Sequence, residues 1–298
     1  MDIFPKNARV CFLGSSGTHN NGYVMHVTAY YKKYFPELNV NFFNCGVSGA
    51  TLKEQLQIVK EDTLSYNPTH VVILMGMNDT ERDTLVEKRS KERYKKLKLA
   101  FENFKKNLDK ICDILKENNV EIVLCTITPY DEYGDYCTSP LKGAFALAMA
   151  YNEYIRGYAK LNGYPLCDYF PYILEKMQSE RIYCEDSVHF LDEGQYYIAK
   201  CFLENQGIEV KEKLDFSPKM IEWNEKVQII RNIYAVEMMV LKDFAMSYSE
   251  GSKIVEEFMK SSDCNKWFYG ICDCYLKNKP NVELIKQNMI NIMENELE

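Results

Sequence analysis

Between residues 9 and 169 short apolar runs alternate with longer stretches of helical periodicity, and that alternation confines the chain to βα units around a mainly parallel sheet. Five strands are predicted, at residues 10–13, 40–44, 70–75, 121–126 and 165–168. Each is rich in Val, Ile, Phe or Leu, and Gly, Ser, Asn or Pro closes most of them. Between the third and fourth, Tyr94, Leu97, Phe101, Phe104, Leu108, Ile111 and Leu115 recur at spacings of three and four, which marks one buried face of a long helix.

Beyond residue 206 the strand-like runs stop. The expected organisation is therefore an α/β domain over residues 1–206 followed by a helical extension over 207–298. Ser217-Pro218 has the form of an N-cap followed by proline in the first helical position. Val227, Ile230, Tyr234 and Leu241 then supply an apolar face, and a helix after Pro280 presents Val282, Ile285, Met289 and Ile292. Such faces pack on the body of the protein or serve as a lid or a homo-oligomer contact, and the sequence leaves these open.

Hydrophobic residues at 46% and charged residues at 27% fit a folded, soluble chain. A net charge of −7 argues against nucleic acid as a partner. The one basic run, residues 88–98, falls on the polar side of the long helix and reads as a solvated face. Eleven cysteines without regular spacing suit reduced thiols, and no apolar run approaches a membrane span, so a cytoplasmic location without membrane association is expected. Cys264, Cys272 and Cys274 lack both a Cys-x-x-Cys pair and a nearby histidine, which argues against a metal site.

Four turns carry residues that could do chemistry. Gly14-Ser15-Ser16-Gly17-Thr18 after the first strand would expose a hydroxyl at the sheet's carboxyl edge. Gly46, after the second, could turn a backbone N–H towards a bound oxygen, and Asn78, after the third, could donate its amide into the same crevice. In Asp186-Ser187-Val188-His189 a carboxylate precedes an imidazole by three residues, close enough to hold one ring nitrogen. His19, His26 and His70 lie in helix or strand patterns and read as structural. Taken together the turns hold a nucleophile, a base with its orienting acid, and donors for an oxyanion.

These four blocks, in this order, resemble the GDSL or SGNH hydrolases over residues 9 to about 205. The resemblance implies a flavodoxin-like three-layer α/β/α sandwich. It also implies a serine esterase with Ser16, Asp186 and His189 as the triad, and an oxyanion hole formed by Ser16, Gly46 and Asn78. No metal or cofactor is required. Ser15 stands where the family usually has Asp, which leaves the triad whole and removes a carboxylate from the turn; matching Gly14 and Thr18 to the block selects Ser16 over Ser15 as nucleophile. Because an imidazole base must be neutral to act, activity is expected to rise through about pH 6 to 8.

By analogy with the family, the substrate is expected to be a small molecule or carbohydrate carrying a short acyl ester such as acetyl. Tyr130, Tyr133 and Tyr136, in the loop after the fourth strand, could receive its ring. Two alternatives stay open, an acyltransferase using the same nucleophile and a non-catalytic binding module.

Overall fold

The computed structural model describes residues 1–134 and 142–297. Five strands, β1 (Arg9–Gly14), β2 (Asn41–Gly46), β3 (His70–Leu74), β4 (Glu121–Cys125) and β5 (Leu166–Cys167), form one sheet in the order β2-β1-β3-β4-β5, every pair parallel. This is the expected α/β sheet, with β5 cut to two residues. In β1 Val10, Cys11, Phe12 and Leu13 have no exposed surface, as a sheet covered on both faces requires.

The covering helices are α1 (Ser16–His19) and α2 (Gly22–Tyr34) after β1, α3 (Leu52–Ile58) after β2, α4 (Lys91–Glu117) after β3, and α5 (Ala144–Asn162) after β4. Helices α6 (Tyr169–Met177) and α7 (Asp192–Glu204) follow β5; α2 packs with α7, and α3 with α4. The chain runs from β1 outward to β2, then reverses to β3. The crevice at the carboxyl ends of the strands therefore opens where the winding changes direction.

The apolar stripe of α4 is buried only from Ala100 onward, through Phe104, Leu108, Ile111 and Leu115. Tyr94 is exposed. At about 1.5 Å per residue α4 spans roughly 40 Å, whereas β4 spans roughly 17 Å, so the first turns of the helix overhang the sheet. Periodicity identifies the inward face and does not say where the core ends.

The extension comprises α8 (Pro218–Val236), α9 (Tyr248–Phe258), α10 (Lys266–Asn278) and α11 (Val282–Asn291), with π-helical turns at Glu237–Leu241 and Ile292–Glu296. Ser217 caps α8 as its sequence suggests, its hydroxyl oxygen accepting the Met220 N–H at 3.2 Å. Met220, Trp223, Val227 and Ile230 join the core of the α/β body. Ile233, Ala235 and Val236 form a second cluster with Val47, Ala50 and Ile58 from the β2–α3 stretch. Residues on both sides of position 206 thus share apolar cores. Across the same seam Arg231 makes a two-pronged ion pair with Asp62, both side chains buried. Met293 of the last π turn lies against edge strand β2, its sulfur 3.5 Å from the Phe42 nitrogen.

The ten cysteines within the described residues are free thiols. No helix among the described residues is long and apolar enough to cross a membrane. Among the same residues no group of three or more His, Cys, Asp or Glu could hold a metal ion.

Candidate active site

Strand β1 ends at Gly14, and Ser15 leaves the strand conformation to open α1. Its carbonyl accepts the N–H groups of Thr18 at 3.1 Å and His19 at 2.8 Å. Ser16 is the first residue of α1 and lies at the carboxyl edge of the sheet. Opposite it stands a tight turn closed by the Cys184 N–H on the His189 carbonyl at 2.7 Å, with Ser187 in the left-handed region at φ 63°. That strained residue lets the chain fold around the Asp186 carboxylate, whose Oδ1 accepts the Val188 and His189 N–H groups, each at 2.9 Å.

The other oxygen of Asp186 is 2.5 Å from His189 Nδ1, and His189 Nε2 is 2.8 Å from Ser16 Oγ. With Nδ1–H committed to the carboxylate, the Nε2 lone pair faces the serine hydroxyl. Partial burial pushes the Asp186 carboxyl up, but the His189 ring and the two backbone N–H groups outweigh it, and the net effect holds Asp186 below its ordinary value. The structure thus brings Ser16, His189 and Asp186 into one hydrogen-bonded chain, and the hydroxyl beside the imidazole is that of Ser16.

Asn78 follows β3 and reaches the same cleft. Its Nδ2 donates to the Ala50 carbonyl at 2.9 Å, which leaves the second amide hydrogen for another acceptor, and its Oδ1 accepts from Arg82 Nη1 at 3.2 Å. The neighbouring Asp79 accepts the Leu52 N–H at 3.0 Å, so the turn after β3 is laced to the loop after β2.

Gly46 does not reach the cleft. It ends β2, its N–H is taken by Asn44 Oδ1 at 2.8 Å, and a Cβ there would lie 2.4 Å from the His19 nitrogen. It is glycine because the backbone of α1 presses against the end of the strand. The glycine that lines the cleft beside Ser16, Asn78 and His189 is Gly49, at φ 81°. His19 steadies this loop: its Nδ1 accepts the Ser48 N–H at 3.2 Å and its Nε2 lies 3.2 Å from Asn232 Oδ1 on α8. Burial, reinforced by the charge of Arg231, lowers the His19 imidazole to about 4.

Two recesses meet at Ser16 and His189. One is a mainly apolar slot of about 40 Å³ bounded by Leu74, Met77, Ile127, Val188 and Phe190 among others. The other is an open basin of about 540 Å³ lined by Asn20, Ser48, Gly49, Asn78, Arg82, Met239 and Trp267. Arg82, Met239 and Trp267 escaped the sequence reading, the last two because they come from the extension. The loop tyrosines behave differently from expectation. Tyr130 is buried with its hydroxyl on the Met77 carbonyl at 3.0 Å, Tyr133 is exposed without lining either recess, and Tyr136 lies outside the described residues.

The fold and this array define a class: parallel α/β proteins with a hydrogen-bonded serine, histidine and aspartate at the carboxyl edge of the sheet. The chain belongs to the GDSL-like lipase/acylhydrolase family, whose profile matches residues 12–196. An acetylxylan esterase of Geobacillus stearothermophilus is 35% identical over 69 residues, which are 23% of this chain and 32% of that esterase. In solved structures, a catalytic mutant of the acetylxylan esterase Axe2 from the same organism has a TM-score of 0.59 at 21% identity, covering 71% of this chain and 100% of its own. A gut microbial diltiazem-metabolizing enzyme has a TM-score of 0.74 at 16% identity over 99% of this chain and 97% of its own, so that likeness of fold extends over the helical extension.

Proposed function

We propose that the chain is a serine esterase that removes short acyl groups, acetyl first among them, through an acyl-enzyme on Ser16. The observation that carries this reading is the Asp186–His189–Ser16 chain opening directly onto an apolar slot of about 40 Å³. The slot is narrow and mainly apolar, which suits an acyl tail of a few carbons. Family membership and the similarity to an acetylxylan esterase support ester chemistry.

In this mechanism His189 Nε2 takes the Ser16 proton as Oγ attacks the carbonyl carbon, and Asp186 holds the imidazole tautomer and stabilises its positive charge. The oxyanion is received by the Ser16 and Gly49 N–H groups and by Asn78 Nδ2, with Gly49 replacing Gly46 in that role. His189 then returns the proton to the leaving alkoxide, and water enters to release the acid. A fluorophosphonate probe should label Ser16 stoichiometrically, with the label lost in Ser16→Ala and His189→Ala. On p-nitrophenyl esters kcat/KM should fall about a hundredfold from acetate to octanoate as the added methylenes overfill the slot. Full labelling of Ser16→Ala, or a preference for octanoate, would refute the reading.

A further inference from the structure

The scheme above uses the slot and leaves the basin unassigned. The basin lies on the same Ser16–His189 pair and is the wider and more open of the two. Its lining includes Met239 and Trp267, which fall outside the stretch that matches the family. Both are held in place. Met239 sits on the π-helical turn that follows α8, a local widening frequently found at functional sites. That turn rests on the Gly49 loop, with the methyl groups of Met238 and Met239 at 3.3 and 3.6 Å from where a Gly49 Cβ would lie.

Trp267 is the second residue of α10, whose start is fixed by Asn265 Oδ1 accepting the Phe268 N–H at 3.0 Å. Its ring meets Phe268 edge-on at 5.1 Å, and Phe268 meets Phe258 at 5.2 Å. Despite that support Trp267 is 45% exposed. A fixed indole left open to water beside a reactive serine offers a flat apolar face, and Arg82, Asn20 and Ser48 supply polar groups on the same basin.

Resting on the esterase reading, we infer that the basin is the alcohol subsite and that the alcohol is a ring compound stacked on Trp267, its oxygens reaching Arg82 and Asn20. The basin is open over the serine, so it leaves room for a bulky alcohol beside a small acyl group. In the acylation step the Ser16 Oγ–acyl bond forms and the acyl–alkoxy bond breaks. The proton carried by His189 passes to the alkoxide, and the ring alcohol leaves from the basin. The extension is thereby part of the active site.

The test compares kcat/KM for 1-naphthyl acetate, xylose tetraacetate and ethyl acetate in the wild-type chain, Trp267→Ala and Trp267→Phe, with melting temperatures measured alongside. Ring acetates should be preferred over ethyl acetate, and the preference should fall about tenfold in Trp267→Ala and be partly restored in Trp267→Phe. A larger loss on xylose tetraacetate would identify a sugar ring, and one on 1-naphthyl acetate an aromatic one. An unchanged preference in Trp267→Ala, or wild-type activity confined to ethyl acetate, would overturn the subsite alone. A wild-type chain that cleaves none of the three would overturn the esterase reading with it.

Discussion

Truncating Arg231 to Ala would strand the Asp62 carboxylate inside the protein, because the two side chains are 1% and 0% exposed. The pair is fork-shaped, Nη1 at 2.6 Å from one oxygen and Nη2 at 2.7 Å from the other. Burial opposes the charge on Arg231, and the adjacent Asp62 outweighs it, so the guanidinium stays protonated. Removing one partner of a buried pair costs about 3–5 kcal/mol. For a chain of this size, at about 2–4 °C per kcal/mol, the melting temperature should fall by roughly 6–20 °C. Arg231 Nε has no partner within the described structure, which adds to the cost of keeping the pair dry. The double variant Arg231→Met with Asp62→Leu removes both charges while filling the site, and should recover most of the loss. Calorimetry at pH 7 decides. A fall below about 3 °C for Arg231→Ala, or a double variant no better than the single, would refute the argument that the penalty is an unpaired buried charge.

Two further outcomes follow from the site. On the proposed mechanism Asn78→Ala removes one oxyanion donor and should lower kcat about 10²–10³-fold with little change in KM, read with p-nitrophenyl acetate; an effect confined to KM would mean that Asn78 binds substrate rather than the transition state. Asp79 is raised to about 7, chiefly by burial, and its Oδ2 has no partner within the described structure. A folded value above the unfolded one gives stability that is full below the unfolded value of 3.8 and lost as pH rises through about 7. Denaturant unfolding should therefore show the wild-type chain weakening from pH 4 to 8 more steeply than Asp79→Asn, which keeps the Leu52 contact without the charge; equal slopes would contradict the assignment.

The sheet was legible because each strand is a short apolar run closed by turn residues, and all five appear near their expected positions. Asp186 and His189 were legible because their meeting is local, three residues apart in one turn. What stayed hidden depends on how distant segments dock. Nothing in the spacing of Met239 or Trp267 tells that α8 is pinned by Arg231 to Asp62 and so carries the next turn onto the Gly49 loop. Tyr130 had the composition of an exposed ligand platform, yet its ring is buried and its hydroxyl is satisfied by the Met77 carbonyl.

For Gly46, expected at the cleft and found at the end of β2 with its N–H taken by Asn44, the signal was present in the sequence. Thr51-Leu52-Lys53-Glu54 is a capping box, and the structure forms it, with Glu54 accepting the Thr51 N–H at 3.0 Å and Thr51 accepting from Lys53. A helix that starts at Leu52 leaves residues 47–50 as the turn. Gly46, at the end of the apolar run Asn41–Gly46, must then belong to the strand, where its N–H is spoken for and a side chain would strike α1. Only the glycine between the strand and the cap is free to take a positive φ and face the crevice. Locating the helix cap first, and the loop by subtraction, would have selected Gly49 from the sequence.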